Sequence, residues 1–289
     1  MSTYEVAHLD TGGKVVRPAI LINPYFKPGA QSTLQYYINP AIEDFQKRLP
    51  HYGETQLHAL SFIATELGFA HVFLKDESTR FGLPSFKISG ASWAIHRALC
   101  RRLELGASTM LEGVKQALVS RKRDGDTTAG VRLVTYSEGN WGRAVARMAK
   151  YYDVPATIYV PGFMNEYTRN LIRNEGSNID LKVLDDGSYD DTIAAVQADA
   201  DSDTGALMVM DTSWSGYEEI PRWVTEGYST LMAEVDRQVA AHTDGQQMPV
   251  LAVASVGVGS WAHSVASHYN RSGNNKVITV EPVATPSFK

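Results

Sequence analysis

The chain has 289 residues, of which 44% are hydrophobic and 20% charged, and a formal net charge of −5 at neutral pH. This length suits one large or two medium domains of a folded protein, and the acidic balance, without a basic stripe, argues against a nucleic-acid partner. A single cysteine, Cys100, excludes an internal disulfide and a multi-thiolate metal site, no apolar run approaches membrane-spanning length, and Met1-Ser2-Thr3-Tyr4-Glu5 lacks the basic-then-apolar order of a secretory leader, so the cytoplasm is the expected setting.

Residues 1–50 are interrupted by Pro18, Pro24, Pro28 and Pro40 and read as an irregular arm on the body. Leu57, Leu60, Ala64 and Leu67 then fall on one helical face, which Gly68 is placed to end. A short strand over 71–74 and a helix over 87–105 follow; Cys100, inside that helix, reads as a packed thiol. The basic triplet Arg121-Lys122-Arg123, met at once by Asp124, reads as a solvated surface loop.

Three strand–helix–strand units come next. Their strands are expected at 132–135 and 156–160, at 181–184 and 206–210, and at 250–254 and 277–280. The helices between them are expected at 142–152, 189–198 and 261–268. The acidic stretch 198–203 reads as a surface loop. Alternation of this kind argues for an α/β protein with mainly parallel sheet and helices on both faces.

Four loops carry candidate chemistry at or near the carboxyl ends of strands, where open α/β sheets place ligands. Ser85-Phe86-Lys87-Ile88-Ser89-Gly90-Ala91 puts a lysine at a helix start, where the partial positive charge favours a neutral amine, the form that attacks an aldehyde. Taken alone, it reads better as a solvated first-turn lysine. Ser137-Glu138-Gly139-Asn140-Trp141-Gly142 offers glycines for close approach of a ligand and an amide for hydrogen bonding, or simply a strand-to-helix turn. Asp211-Thr212-Ser213-Trp214-Ser215-Gly216-Tyr217 offers a general base or a helix cap. Gly257-Val258-Gly259-Ser260-Trp261-Ala262 can cradle a phosphate at a helix start. It also fits a dinucleotide fingerprint, with Glu281 ending the next strand, although that fold sets the loop after its first strand and needs more strands behind it. His263 and His268, five residues apart on one helix, do not share a face, so no metal site is expected.

In this order the loops resemble the fold-type II pyridoxal-phosphate enzymes of the tryptophan-synthase β type. Ser-Phe-Lys-x-x-Gly-Ala is similar to the serine/threonine dehydratase lysine motif. The resemblance implies pyridoxal 5'-phosphate as cofactor, held by Phe86, Lys87, Asn140, Gly257, Val258, Gly259, Ser260 and Trp261, with Lys87 forming the imine and Asn140 bonding the phenolic oxygen. It implies two three-layer α/β domains: a large cofactor-binding domain over 1–90 and 214–289, and a small domain over 91–213.

Within that family the pattern lies closest to the diaminopropionate ammonia-lyases. The matching runs are Lys75-Asp76-Glu77-Ser78, Arg80-Phe81-Gly82-Leu83, Asp211-Thr212-x-Trp214-x-Gly216-Tyr217, Ile220-Pro221-x-Trp223 and Gly227-Tyr228. This likeness implies α,β-elimination from a 2,3-diaminopropionate-like amino acid to pyruvate and ammonia, with catalytic residues Lys87, Asp211 and Glu138. The two acids serve as bases for the two substrate enantiomers. A small amino acid is the expected partner and a homodimer is favoured by exposed domain edges. Three departures stand out: Glu138 replaces the family's aspartate, Trp141 replaces a histidine and is expected to add bulk above the cofactor, and family members run well beyond Lys289, which implies a C-terminally truncated cofactor domain. A non-catalytic homologue and a serine/threonine dehydratase are the alternatives.

Overall fold

The computed structural model describes residues 3–7, 14–18, 39–126, 130–185, 189–269 and 274–281, which sort into two units, Met1–Tyr36 with Gln247–Lys289, and Tyr37–Gln246. In the first, β1 (Thr3–Ala7) and β2 (Lys14–Pro18) pair antiparallel, with Pro18 opposite Thr3 at the strand end, where its missing N–H is tolerated. In the second, α1 (Pro40–Lys47) starts with Asn39, whose side chain accepts the Ala41 N–H at 3.0 Å, and with Pro40 in the first turn. These elements correct the expectation of an irregular arm. Pro40 is a helix starter, and Ile42, Phe45 and Gln46 behind it are buried.

The helix expected from Leu57 divides in two. Leu57 belongs to β3 (Leu57–Ala59), and α2 (Ser61–Leu67) follows, ending at Gly68 in the left-handed conformation (φ 68°). The reason is pairing: β3 runs antiparallel to β4 (Phe73–Lys75), placing Leu57 opposite Lys75. α3 (Lys87–Arg102) is buried over most of its surface, as a central helix should be, and Cys100 is a buried free thiol within it, its pKa pushed up to about 11 by burial. α4 (Leu111–Arg123) carries the basic triplet in its last turn, beside the negative end of its dipole, rather than in a loop.

β5 (Arg132–Tyr136), α5 (Asn140–Tyr152), β6 (Ala156–Pro161), α6 (Glu166–Arg173), β7 (Ile179–Leu184), α7 (Tyr189–Ser202) and β8 (Ala206–Met208) form an open, wholly parallel sheet of order β7-β6-β5-β8. α7 runs through most of the acidic stretch read as a loop, because the Arg132 guanidinium pairs with Asp199 at 3.0 Å and Asp203 at 3.1 Å. The chain moves outward from β5 to β7 and then returns to β8 on the other side of β5, so β5 and β8 are neighbours at the point where strand order reverses. Right-handed crossovers in opposite directions put α7 across the sheet from α5. There Val196 of α7 packs with Val134, Tyr136, Tyr159 and Met210.

α8 (Glu219–Gly227) and α9 (Ser229–His242) complete this unit. α8 lies directly against α3. A Cβ at Gly90 would come within 2.8 Å of the Tyr228 ring and of Val224, and one at Gly227 within 2.6 Å of the Ser89 carbonyl. The buried Gln46 seals the joint from α1, donating to Ser89 O at 2.8 Å, Ser92 Oγ at 3.1 Å and Gly227 O at 3.0 Å. Gly90→Ala is therefore expected to force the two helices apart and cost about 1–3 kcal/mol, read by urea unfolding. An unchanged midpoint would contradict the packing argument.

The first unit closes with β9 (Leu251–Ser255), α10 (Ser260–Tyr269) and β10 (Lys276–Val280), a βαβ unit whose strands pair in parallel, Leu251 opposite Lys276. The architecture is the α/β, mainly parallel arrangement expected from the sequence.

Candidate active site

Each loop is shaped by its own residues. Before α3, the Ser85 hydroxyl accepts the Lys87 backbone N–H at 3.2 Å, satisfying one of the amides the helix start leaves unpaired. The half-buried Phe86 sets its ring edge-on to Tyr228 at 5.5 Å. After β5, Ser137 Oγ accepts the N–H of Gly139 at 3.0 Å and of Gly142 at 2.6 Å, capping α5. Gly139 has φ 154° and ψ −102°, a conformation open to glycine alone. Gly142, read as room for a ligand, also answers an internal demand, since a Cβ there would stand 2.9 Å from Ser137 Cβ. Asn140 is the exposed first residue of α5, and the exposed Glu138 accepts a hydrogen bond from the Tyr136 hydroxyl at 3.2 Å.

Trp141 is not bulk above a ligand. It is buried, and its indole N–H points into the sheet, 2.9 Å from Thr135 Oγ1 and 3.3 Å from Val209 O. It is a core residue tying the ends of the β5 and β8 segments together.

After β8 the chain turns back on itself. Tyr217 donates to Met208 O at 3.0 Å, accepts from Met210 N–H at 2.9 Å, and stacks on Trp214 with ring centroids 4.4 Å apart. Burial pushes its phenol up, which keeps it a donor. This clamp fixes the backbone next to Asp211, which is buried rather than capping a helix. The Asp211 carboxylate meets the Lys87 ammonium in a direct, short ion pair. The lysine-bearing helix start and the two loops leaving β5 and β8 thus come from one unit, with the amine and its acid joined. The loops leave the sheet where strand order reverses, the position at which open α/β sheets form a ligand crevice.

In the other unit, Gly259 has φ 95° and leads into α10, where His263 N–H bonds Gly259 O at 2.8 Å. A Cβ on Gly257 or Gly259 would meet nothing within 4 Å, so the space beside this turn is open. Val258 is exposed and Trp261 half-buried. Ser260 Oγ is buried with no hydrogen-bond partner among the described residues. An open turn, a helix start and a waiting hydroxyl suit a phosphate group.

Sequence reasoning named Ser137 and Tyr217 within their loops without giving either a role, and did not single out Gln46; the first two place the loops and the third joins helices, rather than reacting. The spacing of Ser137 from Gly142 was the available signal for the first of them.

A lysine amine paired with a carboxylate beside the carboxyl ends of a parallel α/β sheet has the chemistry used by one class of protein, the enzymes that bind a carbonyl group through lysine. The family model described as "Pyridoxal-phosphate dependent enzyme" matches residues 48–289, and the chain belongs to that family. The diaminopropionate ammonia-lyase of Salmonella typhimurium is 31% identical over 261 residues, which cover 89% of this chain and 62% of that protein. The crystal structure of Escherichia coli diaminopropionate ammonia lyase in apo form superposes with a TM-score of 0.74 at 32% identity, covering 84% of this chain and 63% of that one. The same E. coli enzyme in complex with D-serine gives a TM-score of 0.75 at 31% identity, over 87% and 62% of the two chains. The chain therefore spans less than two thirds of the length of these relatives. Pyridoxal 5'-phosphate is the family's cofactor; in one unit the shielded Lys87 amine has the chemistry for an aldehyde, and in the other, taken by itself, the open glycine turn with the buried Ser260 hydroxyl has the chemistry for a phosphate.

Proposed function

We propose that the chain is a carbon–nitrogen lyase that removes ammonia from 2,3-diaminopropionate, or a close analogue, by α,β-elimination, leaving pyruvate. The observation that carries this reading is the pairing of Lys87 with Asp211, which sets a nucleophilic amine beside a carboxylate base. When bound, pyridoxal phosphate supplies an electron-withdrawing ring beside the substrate Cα. Lys87 holds the cofactor and, once released by the incoming amino acid, is available for protons. Asp211 and Glu138 take the α-proton, each from one enantiomer. Phe86 and Asn140 orient the cofactor ring, and Gly257, Val258, Gly259, Ser260 and Trp261 hold its phosphate.

The substrate class rests on the names of the relatives, and the D-serine held by the E. coli protein supports a small 2-amino acid. A cofactor domain over 1–90 and 214–289, a small domain over 91–213, a homodimer and a cytoplasmic setting belong to the same proposal.

The test supplies the purified chain with pyridoxal phosphate and the D and L forms of 2,3-diaminopropionate and of serine, and measures pyruvate and ammonia. Diaminopropionate is expected to be the better substrate. Asp211→Asn is expected to slow one enantiomer by roughly 10²-fold or more, and Glu138→Gln the other. Preference for serine would make the chain a dehydratase. Cofactor binding without turnover of any of the four would make it a non-catalytic relative.

A further inference from the structure

We infer that Asp211 is also the proton relay through which Lys87 captures its aldehyde cofactor, a role that precedes any substrate and rests on the assignment of Lys87 above. The geometry is specific. The side chains of Lys87 and Asp211 are only 20% and 8% exposed, so bulk water has limited access to the pair. Asp211 follows a strand end pinned by Tyr217 through Met208 O and Met210 N–H, so the carboxylate is held in place. An amine bonded as ammonium to that carboxylate has no lone pair to offer, and the group best placed to accept its proton is the one it already touches.

The step then balances. One proton passes from Lys87 Nζ to Asp211 Oδ2. The freed lone pair forms a bond to the aldehyde carbon, and the carbonyl π pair moves onto the oxygen. That oxygen takes a second proton from Nζ and then the first one back from Asp211, and leaves as water. Nζ is left with one proton and a carbon–nitrogen double bond, and Asp211 is a carboxylate again. No electrons are gained or lost, and no other reactant is needed.

The test mixes the cofactor-free 289-residue chain with pyridoxal phosphate and follows the growth of the visible absorbance band of protein-bound cofactor. Borohydride reduction then fixes the product for peptide mass mapping. Asp211→Asn, nearly isosteric, is expected to reach the same final yield at Lys87 but at least about tenfold more slowly. Asp211→Ala is expected to be slowed likewise and accelerated by added formate, a small carboxylate that can occupy the emptied position, whereas the unaltered chain does not respond to formate. Capture by Asp211→Asn at the unaltered rate, or a slow Asp211→Ala that formate leaves slow, would overturn the relay while Lys87 keeps its assignment. Label appearing at another lysine in the unaltered chain would overturn both.

Discussion

Lys87→Ala is expected to abolish covalent capture of pyridoxal phosphate and to remove lyase turnover. The lost proton handling alone accounts for about 10²–10⁴-fold, before the loss of the covalent anchor is counted. The structural reason is that one position combines three properties. It opens α3 with its amide capped by Ser85, its side chain is largely shielded, and its amine ends on Asp211. The check is borohydride reduction after incubation with the cofactor, with peptide mapping and pyruvate assay on the same sample. Retention of the reduced label at undiminished yield would remove Lys87 from the mechanism. Asp211 loses its cation in this variant, so circular dichroism accompanies the assay to separate chemical loss from misfolding.

Glu234→Gln is expected to carry the largest stability cost, about 3–5 kcal/mol, because it breaks a buried charge network by removing only one partner. Arg80 and Glu234 are both fully buried, and Arg80 donates to the two Glu234 oxygens at 2.7 and 2.6 Å. Arg80 Nη2 also donates to Thr55 Oγ1 at 2.9 Å and to Glu77 Oε1 at 2.8 Å, while Lys75 reaches Glu234 at 2.9 Å. The amide would leave Arg80 and Lys75 without their shared anion.

The pH dependence has a definite sign. Burial alone would raise the Glu234 carboxyl, but the bonds from Arg80 and Lys75 more than offset it and hold it below the usual carboxylate range. Its folded-state pKa is thus depressed. The stability it confers is complete above the ordinary carboxylate pKa and is lost as pH falls through the folded value. Urea unfolding at neutral and acidic pH should show the gap between the unaltered chain and Glu234→Gln widest at neutral pH and narrowing in acid. A gap that does not change with pH would exclude this carboxylate as the cause.

That network explains a resemblance the sequence displayed without a reason. Lys75-Asp76-Glu77-Ser78 and Arg80-Phe81-Gly82-Leu83 precede Lys87, and two of those charges, Lys75 and Arg80, converge on an acid of α9 more than 150 residues away, while Glu77 braces Arg80. They carry no chemistry in the proposed reaction. They brace the chain that leads into the lysine helix. Gly90 and Gly227 have the same character: each was visible as part of a motif, and only the contact of α3 with α8 shows that each makes room for the other helix. His96, also on α3, was not singled out. It lies beneath the Phe45 ring and beside the Tyr152 hydroxyl, and burial lowers its pKa to about 4, which keeps it neutral.

Most of the strands and their connecting helices were readable from local pattern, because each strand of a buried parallel sheet writes a short apolar run and each crossover helix writes its own period. The readings that failed did so where a distant partner decided the outcome. Leu57 entered a strand because 73–75 lies beside it, the acidic stretch stayed helical because Arg132 neutralises it, and Trp141 turned inward because Thr135 and Val209 offered acceptors.

By itself the amino-acid order determined the α/β class, the parallel strands, the family and the residue types able to hold an aldehyde and a phosphate, since these depend on local periodicity and on short runs of neighbours. Only the tertiary structure decided that β8 returns to the side of β5, and hence that Asp211 comes to rest against Lys87 across 124 positions of chain. Strand order is set by the packing of whole helices on both faces of a sheet, and no short stretch of sequence encodes it.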